Sequence, residues 1–198
     1  GPAEPICKPV TVDSQYQMGI YRVKLNTLDN LTGVTHVYND FSCTMNTEVT
    51  AGIYYSMEVE TNNQYPESVF AWLDGNNDGR FDSLERIFES KNKLQFHADT
   101  ILIPANTLLN QKLRFRLKSD YYTTTMDACT DLYYGEVEDY SLTVKENTNP
   151  PVAGFISDGF YSCSGSVQFS DRTLNVPNSW LWEFGDGTNS TEKNPSHI

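Results

Sequence analysis

Apolar and polar residues alternate along most of this chain, which is the pattern of β-strands with one buried and one exposed face. Residues 53–60 read IYYSMEVE, with an apolar side chain at nearly every second position. Residues 112–118 read KLRFRLK, and here lysine and arginine alternate with apolar residues. Weaker strand signals lie at 20–25, 36–41, 69–73, 94–97, 101–103 and 140–144. Since no segment carries a sustained helical period, we predict an all-β, jelly-roll-like sandwich.

The alternation stops at residues 146–151, which read ENTNPP. A polar run that ends in two prolines forms a stiff, extended connector. Strand-like patterns then resume in the remainder of the chain. We therefore predict a first domain at 5–145, a linker at 146–151 and a second domain at 152–198. The initial residues 1–4 begin with a Gly-Pro pair typical of a cleaved purification tag, and they are set aside as a lead-in.

Composition and charge narrow the range of functions. Hydrophobic residues make up 38% of the 198-residue chain, which is enough for a real core, and the formal net charge is −12. A field of this sign repels nucleic acid and anionic lipid and favours cations, although solubility alone would also explain it. No apolar stretch approaches the roughly 20 residues that span a bilayer. We expect neither nucleic-acid binding nor membrane insertion.

The four cysteines are widely spaced, with three in the predicted first domain and Cys163 in the second. The absence of a C-x-x-C pair argues against a zinc ribbon or a thioredoxin-type site. An even number at wide spacing suits disulfides and an oxidising compartment. We predict one bridge, within the first domain and involving Cys129, because its loop precedes the closing strand. Two bridges would require one to cross the linker and lock the domains together.

The strongest chemical signal is the acidic loop at residues 74–85, which reads DGNNDGRFDSLE. Its oxygen-bearing side chains have the spacing of an EF-hand calcium loop, with glycine at the sixth position. The predicted Ca²⁺ ligands are Asp74, Asn76, Asp78, the carbonyl of Arg80, Asp82 and Glu85. No helices flank the loop, so we expect a calcium loop inserted between strands. The alternative is a metal-free Asn/Asp/Gly turn.

A second acidic cluster, GEVEDY, occupies residues 135–140. Glu138 is in phase with the apolar residues that follow it, whereas Asp139 faces the other way. A carboxylate on a core face is costly unless it is paired, so Glu138 should meet backbone N–H groups or an arginine. The candidate arginines are Arg22, Arg114 and Arg116. We assign structural roles to Glu138, Asp139, Arg114, Arg116 and Cys129. A glycosidase-like acid pair of Glu136 and Glu138 is the weaker alternative, because neighbouring strand residues diverge.

Two tyrosine pairs flank a loop rich in Asp, Thr and Cys. They are Tyr121-Tyr122 and Tyr133-Tyr134. Their rings could stack against sugars or a peptide and so form a ligand-binding surface. The alternative, that they are ordinary core and turn aromatics, also fits the sequence.

Several short motifs lie in the first predicted domain: C-K-P at 7–9, YNDF at 38–41, WLDGNNDG at 72–79, LRFR at 113–116 and GEVEDYSLTV at 135–144. Together they resemble the GEVED domain over about residues 5–145. Gly75 departs from the bulky residue that is usual in the family, without touching the predicted ligands. Residues 151–198 resemble a partial PKD domain, which is an immunoglobulin-like sandwich, through WEFGDG at 182–187 and NPSH at 194–197.

The resemblance implies a location and a role rather than a reaction. Such modules recur beside catalytic domains in exported bacterial proteases, glycosidases and adhesins. We therefore expect a non-catalytic, calcium-stabilised accessory or adhesive module of a secreted or cell-surface protein. Its partner would be an extracellular polysaccharide or protein surface. The alternatives are a binding module that targets an attached hydrolase and, with less support, a small hydrolase using Glu136 and Glu138.

Overall fold

The computed structural model describes residues 1–35, 38–123, 125–159, 165–175 and 177–198. They form two compact units, Gly1–Glu146 and Asn147–Ile198, whose boundary falls in the proline-containing connector. Both units are built from strands, and the predicted all-β sandwich is confirmed. Within the described residues, no helix has the length and apolarity required to cross a bilayer.

The described residues of the first unit form ten strands and one short 3-10 turn, Ser83–Glu85. The strands are β1 (Arg22–Leu25), β2 (Leu28–Leu31), β3 (Tyr38–Asp40), β4 (Asn46–Thr50), β5 (Tyr54–Glu60), β6 (Glu67–Leu73), β7 (Arg86–Lys93), β8 (Phe96–Leu102), β9 (Lys112–Tyr121) and β10 (Glu136–Lys145). The smaller sheet has the order β2-β1-β5-β8. The larger has the order β3-β10-β9-β6-β7, and β4 also pairs with β10.

The hydrophobic core of this unit lies between the two sheets. The smaller sheet contributes Val23 and Met57, and the larger sheet contributes Val69, Phe115 and Leu142, all fully buried. Burial of each such side chain stabilises the fold by about 1.5–3 kcal/mol. The alternation predicted for β5 is present, since Met57 and Val59 are buried while Glu58 is exposed. Packing of this core fixes β6 and β7, the two strands that the candidate site connects.

The larger sheet is also buried on its outer face, which the sequence analysis did not predict. The cationic side of β9 was expected to face water, yet Arg114, Arg116 and Lys118 are all buried. The outer face is covered by residues 3–13, here called the strap, and by the loop that joins β9 to β10. Two backbone hydrogen bonds join the strap to this loop. The N–H of Val12 donates to the carbonyl of Leu132, and the N–H of Leu132 donates to the carbonyl of Val10, each at 2.9 Å.

The second unit is smaller and has short strands. They are β11 (Phe155–Ser157), β12 (Val167–Asp171), β13 (Trp182–Glu183), β14 (Asn189–Ser190) and β15 (Ser196–His197). Sheets of order β11-β12-β15 and β13-β14 surround a cluster of aromatic rings. Phe155 packs edge-on against Trp182 but remains 61% exposed, so this core is open on one side. Cys163 lies outside the described residues, and so do the predictions that concern it.

Candidate functional site

The acidic loop, residues 74–85, connects β6 to β7 at one end of the larger sheet. β6 is buried along its whole length, and the first loop residue, Asp74, is fully buried as well. The N–H of Asp74 donates to the carbonyl of Arg114 at 3.0 Å, which anchors the loop to β9. The loop ends with the 3-10 turn Ser83–Glu85, for which Asp82 is the N-cap residue. Strands flank the loop, as the sequence predicted.

Carboxylates at the two ends of the acidic loop organise its backbone. Asp74 Oδ1 accepts the N–H of Asp78 at 3.1 Å, and Asp74 Oδ2 accepts the N–H of Gly79 at 2.9 Å. Glu85 closes the loop from the other end, because its two oxygens accept the N–H groups of Gly75 and Asp82, each at 2.9 Å. The turn requires φ of +78° at Gly79, a conformation that favours glycine.

The middle of the loop is held by shorter-range bonds. Asn76 Oδ1 accepts the N–H of Asp78 at 3.0 Å, and Asp78 Oδ1 accepts the N–H of Arg80 at 2.8 Å. These bonds stabilise one tight turn, because each side-chain oxygen accepts the N–H of the residue two positions further along the chain. In a metal-free Asx turn the same bonds would form, so they do not by themselves identify a ligand.

The acidic loop carries a net negative charge, since it contains four carboxylates and one arginine. Burial raises the pKa of Asp74, with a further contribution from Asp78, and burial likewise raises the pKa of Glu85. Across the described ranges, no ion pair reaches Asp74, Asp78 or Glu85. In those same ranges, no three His, Cys, Asp or Glu side chains are grouped as metal ligands. The donor set and its uncompensated charge suit Ca²⁺, and the site stays a prediction.

The strap lies directly against the acidic loop. The N–H of Ala3 donates to Asn77 Oδ1 at 2.8 Å, and the N–H of Ile6 donates to the carbonyl of Gly79 at 2.9 Å. A Cβ at Gly79 would lie 2.2 Å from the Glu4 carbonyl oxygen, so only glycine permits this approach. Residues 3 and 4, which the sequence analysis set aside as lead-in, are therefore packed parts of the first unit.

A buried ion cluster lies beside this contact on the outer face of the sheet. Asp139 accepts two bonds from the Arg116 guanidinium, Nε to Oδ1 and Nη2 to Oδ2, each at 2.8 Å. Arg114 Nη1 bonds the same carboxylate at 3.1 Å and also bonds Asp40 at 2.9 Å. The hydroxyl of Tyr38 donates to Asp139 Oδ2 at 2.6 Å. Such charge-assisted, two-point bonds are the strong form of this interaction.

The disulfide joins the strap to the loop that precedes β10. Cys7 is bonded to Cys129, with Cα atoms 5.5 Å apart. The prediction of one first-domain bridge involving Cys129 is confirmed, and Cys43 is an exposed, unbonded cysteine. Arg116 supports both halves, since Nη2 donates to the Cys7 carbonyl at 3.1 Å and Nη1 donates to the Ala128 carbonyl at 3.2 Å.

The predicted partner of Glu138 is wrong. Its carboxylate accepts hydroxyl bonds from Tyr140 at 2.7 Å and from Thr32 at 2.8 Å, instead of meeting an arginine or backbone N–H groups. Arg114 and Arg116 project to the opposite face of the sheet and bind Asp139, while the third candidate, Arg22, pairs with Asp29. Burial raises the pKa of Glu138 to about 8.

Glu136 occupies a similar enclosed position. It accepts bonds from the backbone N–H of Ile20 and from the hydroxyl and N–H of Thr35. Glu136 and Glu138 are both 0% exposed, so within the part of the chain that the structure describes neither carboxylate is open to a substrate. The arrangement argues against the acid-pair hydrolase considered from the sequence.

The four predicted tyrosines do lie together, and two distant tyrosines join them. Ring contacts link Tyr121 to Tyr122 at 6.1 Å and Tyr133 to Tyr134 at 4.5 Å. Tyr16 packs against Tyr134 at 5.0 Å and against Tyr65 at 5.6 Å. We call these six residues the tyrosine surface. No local pattern marks Tyr16 or Tyr65, because only the fold brings their loops here.

The carboxylate of Asp120 fixes the backbone that carries Tyr133 and Tyr134 in the tyrosine surface. Asp120 accepts the N–H groups of Tyr133, Tyr134 and Gly135 at 2.8, 3.0 and 3.3 Å. Tyr122 and Tyr133 nevertheless remain 63% and 57% exposed. Hydrogen bonds to Asp120 therefore fix the backbone of the tyrosine surface, while these two side chains remain open to solvent.

Comparison with known proteins gives a family match over part of the chain. The family model of the GEVED domain matches residues 68–143, which confirms the resemblance over that range. A microbial collagenase from Vibrio alginolyticus is 32% identical over 80 residues, or 38% of this chain. The match spans only 10% of the length of that relative. The resemblance of residues 151–198 to a PKD domain stays a prediction.

A solved structure of the titin domains Z1Z2 in complex with telethonin also aligns with the chain. It is 13% identical, and the alignment covers 90% of this chain and 73% of that one. The TM-score of 0.28 is too low to support an argument from that fold.

Proposed function

We propose that this chain is a non-catalytic, calcium-stabilised accessory module of a secreted or cell-surface bacterial protein. The observation that carries the proposal is the acidic loop, in which the buried Asp74 and the neighbouring Glu85 have no cationic partner among the described residues. A buried carboxylate that has hydrogen bonds but no counter-charge is costly, and a bound cation would offset that cost.

The residues of the loop suit a hard cation. Calcium takes six to eight oxygen ligands, and the loop supplies carboxylates, an amide oxygen and a backbone carbonyl in the order of an EF-hand. The ligands would be Asp74, Asn76, Asp78, the carbonyl of Arg80, Asp82 and Glu85. When bound, the ion supplies positive charge that stabilises the β6–β7 connection. This chain's own residues fix the loop to β9 and to the strap.

The family match and the disulfide support an accessory role outside the cytoplasm. The matched range, residues 68–143, includes the whole acidic loop and most of β10. The collagenase relative shares only a segment of its length with this chain, as expected if a module recurs beside different domains. The Cys7–Cys129 bridge suits an oxidising compartment.

The test is thermal unfolding in a chelator and in millimolar calcium. Calcium should raise the melting temperature, because a ligand at a hundredfold excess over its Kd stabilises the folded state by about 2.7 kcal/mol. Asp78→Asn keeps a side-chain acceptor but removes a charge, and it should lose most of the shift. The matched control, Asp99→Asn, changes an exposed carboxylate on β8 and should keep the shift. No shift in the unmodified protein would refute calcium stabilisation.

The tyrosine surface favours a second candidate, a module that binds an extracellular polysaccharide or protein. Large exposed aromatics held in fixed positions are typical of interaction sites. The double variant Tyr122→Ala/Tyr133→Ala should weaken retention on the ligand, tested on insoluble polysaccharides and on immobilised gelatin. Tyr54→Ala is the matched control, since Tyr54 is 66% exposed on β5 and outside the tyrosine surface. Equal retention of both variants would exclude this surface.

A further inference from the structure

We propose that calcium binding at the acidic loop and the oxidation state of the Cys7–Cys129 disulfide are coupled through the strap. This inference rests on the proposed calcium site and assigns it a regulatory consequence. The coupling makes calcium protect the disulfide against reduction, and it makes the disulfide raise the affinity for calcium.

The first link is between the predicted ion ligands and the strap. Gly79 is bonded on both sides of its position: its N–H donates to Asp74 Oδ2 at 2.9 Å, and its carbonyl accepts the N–H of Ile6 at 2.9 Å. The neighbouring Asn77 accepts the N–H of Ala3 through its side chain. Any ligand that fixes Asp74 therefore fixes the surface on which the strap lies.

The second link is between the strap and the disulfide. Cys7 directly follows Ile6, so the residue that docks on the acidic loop adjoins the bridging residue. The Cys7 carbonyl is held by Arg116, and beyond it Val10 and Val12 pair with Leu132 in the loop that carries Cys129. The strap thus joins the two sites, since it is hydrogen-bonded to the acidic loop at Ala3 and Ile6 and to Leu132 at Val10 and Val12.

Reduction releases the strap from its covalent tether. A thiolate of an external dithiol attacks one sulfur, the S–S bond breaks, and the second thiol of the reagent resolves the mixed disulfide. The products are two protein thiols and the cyclic disulfide of the reagent, which has given up two electrons. Once Cys7 is free, the contacts of Ala3 and Ile6 with the acidic loop depend on hydrogen bonds alone.

Thermodynamic linkage sets the form of the result. If the folded strap favours both calcium and the disulfide, each must favour the other by the same factor. Couplings between sites are commonly about 5- to 150-fold in affinity. Calcium should therefore disfavour reduction of the Cys7–Cys129 disulfide by the same factor by which reduction lowers the affinity for calcium.

The first experiment follows reduction of the folded protein by dithiothreitol, with either chelator or saturating calcium. Thiols are alkylated at intervals, and Cys7 and Cys129 are quantified by peptide mass spectrometry, which separates them from the other cysteines. We expect at least about fivefold less reduction at equilibrium in calcium. Calorimetric titration of CaCl₂ into the oxidised protein and into Cys129→Ser should show a matching loss of affinity.

A variant tests the strap itself. Asn77→Gly removes the acceptor of the Ala3 N–H without backbone strain, because Asn77 already has φ of +56°. It should ease reduction of the disulfide and lessen the protection by calcium. The matched control is Asn26→Gly, at φ of +53° in the exposed turn between β1 and β2 of the smaller sheet, and it should leave reduction of the disulfide and its calcium dependence unchanged.

The outcomes separate the two proposals. A calcium-dependent rise in melting temperature with unchanged reduction overturns the coupling and leaves calcium stabilisation standing. No effect of calcium on melting overturns both. Calcium protection that persists undiminished in Asn77→Gly overturns the contribution of the Ala3–Asn77 contact, and equal calcium affinities of the oxidised protein and Cys129→Ser overturn the coupling through the strap.

Discussion

Each face of β10 buries a carboxylate, but the two carboxylates are stabilised in different ways. Glu138 and Asp139 are adjacent, and each is 0% exposed. On the inner face, Glu138 meets only hydroxyl groups and its pKa rises to about 8. On the outer face, Asp139 lies between two guanidinium groups, so its charge is matched. Two equally buried carboxylates on neighbouring residues are therefore accommodated differently, because different groups contact them.

The difference follows from what covers each face. The inner face packs on the opposite sheet, which contributes apolar side chains and the hydroxyl and amide groups of Thr32 and Asn30. The outer face is covered by the strap and the loop before β10, whose backbone carbonyls accept the remaining N–H groups of Arg116. A charged layer can be buried only where such acceptors are available.

The largest effect should come from breaking the matched side. Asp139→Asn preserves the shape but leaves the buried Arg116 guanidinium without a counter-charge, which should cost about 3–5 kcal/mol. The measurement is the free energy of unfolding in guanidinium chloride. Asp40→Asn is the control, because Asp40 also bonds Arg114 but is 31% exposed, and it should cost much less. Equal costs for the two variants would contradict the special role of Asp139.

Alternation in the sequence identified the strands better than it identified their surroundings. The segments around β5, β9 and β10 follow a period of two, the segment of β6 is a short apolar run, and the structure has strands at all four. In contrast, KLRFRLK predicted a wet cationic face, because no local pattern records that residues more than a hundred positions away will cover it. The same limit produced the wrong partner for Glu138. The position of a residue in the alternating pattern indicates on which face of the sheet its side chain lies, but not which residues pack against that face.

Other strands were hidden for local reasons. β8 runs unbroken through Phe96–Leu102, but its central residues Ala98, Asp99 and Thr100 are exposed and interrupt the apolar pattern, so two separate strands were predicted. β4 is short and polar, with Thr47 as one of its two buried residues, and gave no signal. For the site, the acidic loop was located by ligand spacing alone, whereas its contact with the strap depends on tertiary structure.

The smallest effect in this comparison should come from the inner face, and it should depend on pH. At pH 6 the protonated Glu138 and a glutamine differ little, because each has a carbonyl acceptor and at least one donor for hydroxyl groups that can serve either role. Glu138→Gln should therefore cost less than about 1 kcal/mol at this pH, against the larger cost of Asp139→Asn.

The pH dependence has a definite sign. Burial raises the pKa of both Glu138 and Glu67 to about 8, well above the value near 4.3 expected in the unfolded chain. Between these values the folded protein holds protons that the unfolded chain has released, so stability is fully present below about pH 4 and is lost as the pH rises through about 8. Glu136 and Tyr140 are the other titratable groups that influence Glu138, and the charge of Glu136 acts in the same direction.

Glu138→Gln should remove part of this decline, because glutamine has no proton to lose. Unfolding free energies at pH 5.5, 7 and 9 would show a flatter profile for Glu138→Gln than for the unmodified protein, with the two lines converging or crossing toward high pH. Glu58→Gln serves as the control, since Glu58 is exposed on β5 and its substitution should leave the slope unchanged. If Glu138→Gln instead destabilises the protein equally at every pH, the carboxylate is ionised in the fold, and the contrast between the two faces of β10 is wrong.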